Sequence, residues 1–508
     1  MAHLGLGGPL AIDDVVGVAR AGRPVALPEA AERQISRARA FVDRLTGGDA
    51  LVYGITTGVG KLKDVRIPPS DRRALQENLV RSHAAGLGPP MAPAETRAMW
   101  LCLAASLARG HSGVRLAVVR LIAECLNRGV TPVVPAWGSL GASGDLIPLA
   151  HAALILIGEG EAWVAGRRLP GREALAAAGL APVTLEAKEG LALLNGTHQM
   201  TGLGALLLAD AARALRVADV TGSMSLEALM GTNAAADPRI HALRPHPGQV
   251  ASAANVRRLT AESAIIASHA DCTRVQDAYS LRCLPQVHGA AREAHGFADQ
   301  ILVRELGAVT DNPLVFAADE TVLSGGNFHG QPLALAFDAL ALGLGYLAGI
   351  AERRVDRLVN PLVSELPAFL APAGGLQSGY MLAQYQAAGL ASELKVLAHP
   401  ASADSIPTSG NQEDFVPMGA AAVRKCREAL HRVHAVLAIE AVCAAQGLDL
   451  RVPLTPGRGS AAARAAVRER VPALAADRPI HHDLTAAAAL VEGGDLLAAV
   501  EAAVGRLE

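Results

Sequence analysis

The sequence has few aromatic residues and few charged ones, and both shortages restrict the fold. Of the 508 residues, 3% are aromatic and 19% are charged, whereas 51% are hydrophobic. A chain of this length buries a large core, which must here be aliphatic and rich in alanine. Small aliphatic side chains suit close helix packing better than sheets, which favour β-branched and aromatic residues. We therefore expect an all-α protein with enough apolar surface to form an oligomer.

Other scarce features exclude whole classes of function. The six cysteines form no Cys-x-x-Cys pair, which predicts reduced thiols in a cytoplasmic protein. The net charge is −2 and basic residues form no stripe, so nucleic acid is not an expected partner. The N-terminus lacks the charged and then apolar pattern of a signal peptide. Only His481, His482 and Asp483 suggest a metal site, and because adjacent side chains seldom face one ion, we expect none.

One apolar run, from Leu333 to Ala351, is long enough to suggest a membrane span. Asp338 interrupts this run, and Glu352 and Arg353 follow it directly. A helix that is apolar on every side belongs either to a membrane or to the centre of a large bundle. The interrupting charge favours the bundle, so we expect no membrane association.

Helical periodicity covers much of the chain. The predicted helices span residues 93–109, 113–127, 202–216, 331–357, 376–399 and 424–446. A short hairpin is predicted at residues 163–170. We divide the chain into a loop-rich N-terminal part, residues 1–200, and a C-terminal bundle of long helices, residues 201–508. The turn-rich segments between the helices are the expected places for chemistry.

The segment Gly-Ala-Ser-Gly-Asp at residues 141–145 packs small residues around one serine. Taken alone, it predicts a tight turn before a helix, with Ser143 or Asp145 as the N-cap. It does not match the nucleophile elbow Gly-x-Ser-x-Gly, because Asp145 stands where the last glycine would be. The surrounding sequence is needed to decide between a turn and a functional site.

Further motifs follow in order along the chain. They are YGITTGVGKL (53–62), NLVRSHAAG (78–86), VPAWGSLGASGDLIPLAH (134–151), EGLALLNGTHQM (189–200), VQDAYSLRCLPQVHG (275–289), TDNPL (310–314), SGGNFHGQPLA (324–334) and HPASADSIPTSGNQEDFVPMG (399–419). Together they resemble the histidine/phenylalanine ammonia-lyase family over residues 53–483. The resemblance implies a bundle of long central helices with fumarase/aspartase-like architecture, although the Gly-Ser-Ser loop of that group is not evident. It also implies a homotetramer with shared active sites and a small amino-acid substrate.

The family converts an internal Ala-Ser-Gly into a methylidene-imidazolone group (MIO), which the resemblance assigns to Ala142, Ser143 and Gly144. The amide nitrogen of Gly144 would attack the carbonyl carbon of Ala142, an approach that glycine permits. The carbonyl oxygen of Ala142 would leave as one water on ring closure, and loss of a second water from Ser143 would then leave an alkene conjugated to the ring carbonyl. Such a group is a strong electrophile, and no external cofactor would be required.

The resemblance also implies roles for residues that act on the amino-acid backbone of the substrate. Tyr53 would be the base, but a tyrosine pKa near ~10 requires a positive environment or hydrogen bonds to the phenolate. Arg282 would bind the carboxylate through its planar fork, unless it forms a structural ion pair near Asp277. Gln276 and Tyr279 would line the same pocket.

Four other positions would contact the cofactor or the side chain of the substrate. Asn195 matches a position that bonds the MIO carbonyl region or the substrate amine, although Asn-Gly is also a common turn. Phe328 would form a wall of the pocket, or simply belong to the core. His83 and Glu413 match the residues of histidine-specific members of the family. Such a pair suits a histidine substrate, because a histidine and a carboxylate can satisfy the nitrogens of an imidazole.

The chain departs from the histidine-specific pattern at several positions close to these motifs. They are Thr56, Val59, His198, Ala278, Gly410, Phe415 and Pro417. The leading expectation is an ammonia-lyase that converts L-histidine to urocanate. The alternatives are a lyase for a modified histidine or another aromatic amino acid, an aminomutase that returns ammonia to the β-carbon, and an inactive scaffold. The intact tripeptide, Tyr53 and Arg282 argue against the scaffold.

Overall fold

The computed structural model describes residues 2–48, 51–272 and 274–508, where helices far outnumber strands. The helices are α1 Ile12–Ala21, α2 Glu29–Thr46, α3 Arg72–His83, α4 Pro93–Leu107, α5 Leu116–Asn127, α6 Leu146–Leu156, α7 Gly171–Ala177, α8 Glu189–Leu194, α9 His198–Ala228, α10 Pro238–Ala242, α11 Pro247–Leu259, α12 Ala264–Ala267, α13 Tyr279–Arg282, α14 Leu284–Leu306, α15 Gln331–Val359, α16 Pro361–Ser364, α17 Met381–Leu397, α18 Gly419–Asp449, α19 Arg458–Arg470, α20 Ile480–Gly493 and α21 Asp495–Val504. The all-α prediction is confirmed.

The strands are short and pair locally. They are β1 Leu4–Gly5, β2 Val25–Ala26, β3 Leu87–Pro90, β4 Thr131–Pro132, β5 Pro135–Trp137, β6 Glu161–Val164, β7 Arg167–Pro170, β8 Leu314–Phe316 and β9 Thr321–Leu323. β6 and β7 form the predicted hairpin, and β4 adds a third antiparallel strand that periodicity did not reveal. β1 pairs with β2 in parallel, while β3 with β5 and β8 with β9 are antiparallel.

The predicted long helices are present, and their ends differ from prediction for identifiable reasons. α5 begins three residues later than predicted, after Gly113, whose φ of +71° is not helical. α17 likewise begins after Gly375 and Gly379, which also have positive φ. Periodicity extends across such glycines, but their left-handed backbone stops a helix.

The chain forms two compact units. The first contains residues 1–209, 299–337 and 400–424, and the second contains residues 210–298, 338–399 and 425–508. Neither unit is continuous in the chain. The division into parts 1–200 and 201–508 follows chain order instead, and it stays a prediction.

In the first unit, α3, α6 and α8 pack against one another. His83 is the last residue of α3, the predicted cofactor tripeptide precedes α6, and Asn195 follows α8. When helices pack side by side, the residues at their neighbouring ends come close together. This packing therefore explains how residues more than a hundred positions apart come to share one site.

In the second unit, long helices contribute a fully buried polar network. Arg354 on α15 donates to both carboxylate oxygens of Glu440 on α18. His288 on α14 lies between Arg354 and Asp219, with its Nδ1 2.8 Å from Asp219 Oδ1. Such a network is stable in a core only because each charge has a partner.

The apolar helix α15 is, among the helices the structure describes, long and apolar enough by composition to cross a membrane. Its most apolar window is, however, 67% buried inside the protein. Asp338 on this helix accepts a hydrogen bond of 2.8 Å from Lys425 Nζ, and Arg354 pairs with Glu440. These buried charges fit the predicted bundle helix.

Asp219 should make the protein less stable in acid. Burial raises the pKa of its carboxyl group, but Arg292, His288 and Asn255 outweigh this effect and lower it from 3.8 to about 2. The folded pKa is therefore below the unfolded one, so the stabilisation is complete above pH 4 and is lost as the pH falls towards 2. We expect about 2 kcal/mol to be lost in this range.

Urea unfolding at a series of pH values would measure this loss. The Asp219→Asn variant should be less stable at pH 7 and should show a flatter decline below pH 4. An equal slope in wild type and variant would contradict the assignment.

Candidate active site

A cavity of about 1180 Å³ opens in the first unit, and most of the predicted site residues line it. These are Tyr53, His83, Ala142, Ser143, Asn195, Phe328 and Glu413. Residues for which no role was predicted line it as well, including Lys61, Asn78, Asn312, Ser324 and His329. The cavity therefore combines an apolar lining with several polar side chains, and it is large enough for an amino acid.

The predicted cofactor tripeptide lies in a tight reversal of the chain. Gly141 and Gly144 form a β-bridge across it, and Gly144 forms a second bridge with Gly196. Gly144 has a φ of +74°, and a Cβ on it would lie 2.0 Å from the carbonyl oxygen of Gly196. The Gly196 N–H donates to Ser143 O (3.2 Å), and the Asp145 N–H donates to Gly196 O (2.7 Å). Only glycine fits at position 144.

Asp145, one of the two residues predicted as the N-cap, occupies the N-cap position of α6. Its carboxylate, however, forms no capping hydrogen bond to that helix. Oδ2 accepts hydrogen bonds from the backbone N–H groups of Gln199 (2.9 Å) and Met200 (3.0 Å), at the start of α9. Oδ1 accepts from the Ser139 hydroxyl (2.8 Å). Burial raises the pKa of Asp145 to about 6, although these bonds lower it. The carboxylate thus ties the start of α9 to the tripeptide segment.

Ser143 and Glu413 are neighbours in the lining of the cavity. The Ser143 hydroxyl donates to Glu413 Oε1 at 3.2 Å, and the Thr408 hydroxyl donates to Oε2 at 2.9 Å. Backbone bonds in both directions between Thr408 and Glu413 hold this loop in place. Glu413, predicted to contact the substrate, therefore lies beside the serine of the tripeptide.

The histidine at the end of α3 has a defined orientation. His83 Nδ1 lies 2.8 Å from the carbonyl oxygen of Leu79. A carbonyl oxygen only accepts, so Nδ1 must carry the proton of the neutral ring and Nε2 must be an acceptor.

Tyr53 is half-buried, and its hydroxyl oxygen accepts a 3.0 Å hydrogen bond from the Gly60 N–H. Burial raises the pKa of Tyr53, the Gly60 bond lowers it, and the nearby charge of Glu413 raises it. The net shift is upward. The Gly60 hydrogen bond therefore favours a phenolate, whereas burial and the charge of Glu413 oppose it.

A buried ion pair between Lys188 and Asp311, for which no role was predicted, holds Asn195 in place. Asn195 Nδ2 donates to Asp311 Oδ1 and to the carbonyl oxygen of Asn312, both at 3.1 Å. Asp311 Oδ2 lies 2.7 Å from Lys188 Nζ, and both side chains are buried. Both amide hydrogens of Asn195 are thus in use, which leaves its oxygen as an acceptor. Lys188 and Asp311 lie in or beside quoted motifs, but their pairing depends on the fold.

Gln276, Tyr279 and Arg282 belong to the second unit and are not among the described residues that line the cavity. Tyr279 is 71% exposed, and the Arg282 guanidinium lies 4.7 Å from the centre of its ring. Asp277 bonds Thr232 N–H and lies 3.6 Å from Arg274 instead of serving as the structural partner of Arg282.

Two departures from the histidine-specific pattern, Val59 and Phe415, line the cavity. The ring of Phe415 is stacked on His329 with 6.2 Å between centroids, and His329 Nε2 bonds the Phe415 carbonyl oxygen. A third departure, His198, is buried, and burial lowers its pKa to about 4, so the ring is neutral. The lining of the cavity therefore differs from the histidine-specific pattern at Val59 and Phe415, whereas His198 is not part of that lining.

The family described as aromatic amino acid lyase matches residues 10–469, and the chain belongs to this family of lyases. It is 56% identical over 511 residues to the histidine ammonia-lyase of Sorangium cellulosum, with 99% of both chains covered. The histidine ammonia-lyase structure from Trypanosoma cruzi is 41% identical with a TM-score of 0.91, over 99% of this chain and 96% of that one. The tyrosine aminomutase structure from Streptomyces globisporus is 35% identical with a TM-score of 0.95, over 100% of both chains. The predicted family is confirmed.

Lys188 should be essential for stability because it neutralises Asp311. In the Lys188→Met variant, a buried carboxylate loses its partner, and we expect the free energy of unfolding to fall by about 3–5 kcal/mol. The double variant Lys188→Met/Asp311→Asn keeps an acceptor for Asn195 and removes the unpaired charge, so it should recover part of the loss. Denaturant unfolding would compare them. A single variant as stable as wild type would refute the role.

Proposed function

We propose that the protein is an ammonia-lyase that converts L-histidine to urocanate and ammonia. One observation carries the proposal: Ser143 bonds Glu413 in a cavity that Tyr53, His83 and Asn195 also line. The names of the relatives from Sorangium cellulosum and Trypanosoma cruzi support histidine as the substrate. Elimination from an α-amino acid needs activation of the amine and removal of a β-proton, and these residues suit both tasks.

The cofactor of the proposed reaction is MIO, formed autocatalytically from Ala142, Ser143 and Gly144. The residues fit this group because Gly144 lies in a tight reversal, with a positive φ and too close to Gly196 for any side chain. When formed, the group supplies an electrophile for the amino nitrogen of the substrate, which no ordinary side chain provides. No external cofactor is needed.

The specificity for imidazole is assigned to His83 and Glu413. In the neutral His83 ring, Nδ1 donates to Leu79 O and Nε2 accepts, and the Glu413 carboxylate also accepts. Two acceptors match a protonated imidazole ring, which has an N–H group on each nitrogen. A phenyl ring has no N–H group to donate. Phe328 supplies an apolar wall to the same cavity.

Asn195 and Tyr53 act on the reacting atoms in this proposal. The amide oxygen of Asn195 accepts from the substrate amine, since both amide hydrogens are bonded to Asp311 and Asn312. Tyr53 removes the β-proton. Burial and the charge of Glu413 raise its pKa, so a cation close to the hydroxyl would favour the phenolate that the reaction needs.

That cation is proposed to be Arg282 of the partner subunit, with Gln276 and Tyr279 beside it. Tyr279 is 71% exposed, as expected of a segment that awaits a partner, and Arg282 Nε has no hydrogen-bond partner among the described residues. The guanidinium would bind the substrate carboxylate and stabilise the phenolate. We propose a homotetramer with shared active sites, acting in the cytoplasm.

A modified histidine is the second candidate substrate. Val59 and Phe415 both line the cavity. Compared with the histidine-specific pattern, the large aromatic side chain is lost at position 59 and one is gained at position 415. Removal of bulk at one position and its addition at another would alter the space around the imidazole or the amine.

The decisive assay monitors ultraviolet absorbance with L-histidine, N-methyl and betaine analogues, phenylalanine and tyrosine. Urocanate formation from L-histidine is expected, and intact mass should lie two waters below the sequence mass. Ser143→Ala should fold, keep its full mass and lose nearly all activity. Turnover of an analogue alone would move the assignment to a modified histidine, and a β-amino acid product would indicate an aminomutase. An unchanged wild-type mass would refute the cofactor.

Shared active sites predict complementation between two inactive variants. Ser143→Ala and Arg282→Ala should each be inactive as pure proteins. Co-expressed, they should form mixed oligomers in which some sites receive an intact tripeptide and an intact arginine. Activity should then reappear in the purified mixed oligomer. If activity stays absent although mass spectrometry shows mixed assemblies, both residues act within one chain.

A further inference from the structure

Two histidines of α18 and one glutamate of α20 come together in the second unit. His431 and His434 are three residues apart on α18, so their side chains share one face. Glu492 lies in the last turn of α20, with its Oε1 3.6 Å from His431 Nδ1. One ligand atom from each of the three residues lies within 4.8 Å of the other two.

His434 is the unusual member of this cluster. Its side chain is 5% exposed, and neither of its buried ring nitrogens has a hydrogen-bond partner among the residues that the structure describes. Buried polar groups in native proteins are nearly always paired, and a metal ion bound at one nitrogen would give this imidazole a partner. An ordinary ion pair between His431 and Glu492 would leave His434 unexplained.

We propose that His431, His434 and Glu492 bind one divalent transition-metal ion of the zinc class. Two imidazoles and a carboxylate form a common zinc ligand set, in which water takes the fourth position. Imidazole ligands favour zinc over magnesium and calcium, which prefer oxygen. His431 and Glu492 have half-exposed side chains, so they can rotate towards the ion without disturbing the core.

The surrounding charges are compatible with a cation. Asp210 and Glu492 contribute negative charge near His434, while Arg213 contributes positive charge. Arg213 is itself paired with Asp210 at 2.8 Å, which reduces its repulsion of a metal ion.

The role of this ion is structural. None of the three ligands lines the cavity of the first unit, so the ion takes no part in the proposed elimination. It links α18 to α20, and an ion that binds only the folded state stabilises it by mass action. The sequence predicts no metal site here, because these ligands come from two separate helices that only the fold brings together.

Calorimetric titration of the full-length protein, freed of metal with a chelator, tests the proposal. One Zn²⁺ per chain is expected to bind, and Mg²⁺ is not. His431→Ala and Glu492→Gln should each weaken zinc binding about tenfold or more. Both positions are exposed, so these variants should fold. His482→Ala, an exposed histidine elsewhere on α20, is the matched control and should bind zinc as the wild type does.

Thermal unfolding and cobalt spectroscopy give readouts that do not depend on activity. Zn²⁺ should raise the Tm of the wild type and of His482→Ala, but not of His431→Ala. Co²⁺ should give the visible absorption of a tetrahedral site in the wild type and in His482→Ala, but not in His431→Ala. Zinc binding that neither His431→Ala nor Glu492→Gln weakens would overturn the proposal, as would the absence of bound zinc in the wild type.

Discussion

The close approach of Gly144 to Gly196 governs the construction of the first unit. At this point two loops from different parts of the chain touch through their backbones, and a single methyl group would lie 2.0 Å from a carbonyl oxygen. Backbone hydrogen bonds on both sides of the contact fix Ser143 and Asp145 relative to each other. The helices α6 and α9 begin on either side of it, so the direction of both depends on this contact.

Buried charges anchor the polar groups of the cavity. Asp145 collects two N–H groups at the start of α9, and Lys188 with Asp311 fixes the amide of Asn195. Each of these charges is away from solvent and has partners, which gives the site a single arrangement before any substrate arrives. The cavity is thus rigid behind its lining, while Phe415 on its surface is exposed.

The two units use buried charge for different ends. In the first unit the ion pair supports residues that line a cavity. In the second unit Arg354 and Glu440 join long helices in a core that is largely aliphatic. A core with few aromatic residues has few large side chains to define its packing, and directional ion pairs supply that specificity.

The sequence by itself determined the helical class, the family and most of the lining of the cavity, because these depend on composition and on ordered motifs. It also placed Ala142, Ser143 and Gly144 in a turn. Only the tertiary structure paired Lys188 with Asp311 and turned the Asp145 carboxylate towards α9. Among the residues that it describes, it likewise separated Arg282 from the cavity lining and left the ring nitrogens of His434 without a hydrogen-bond partner. Motifs specify residue types, whereas partners and burial depend on contacts between segments that are distant in the chain.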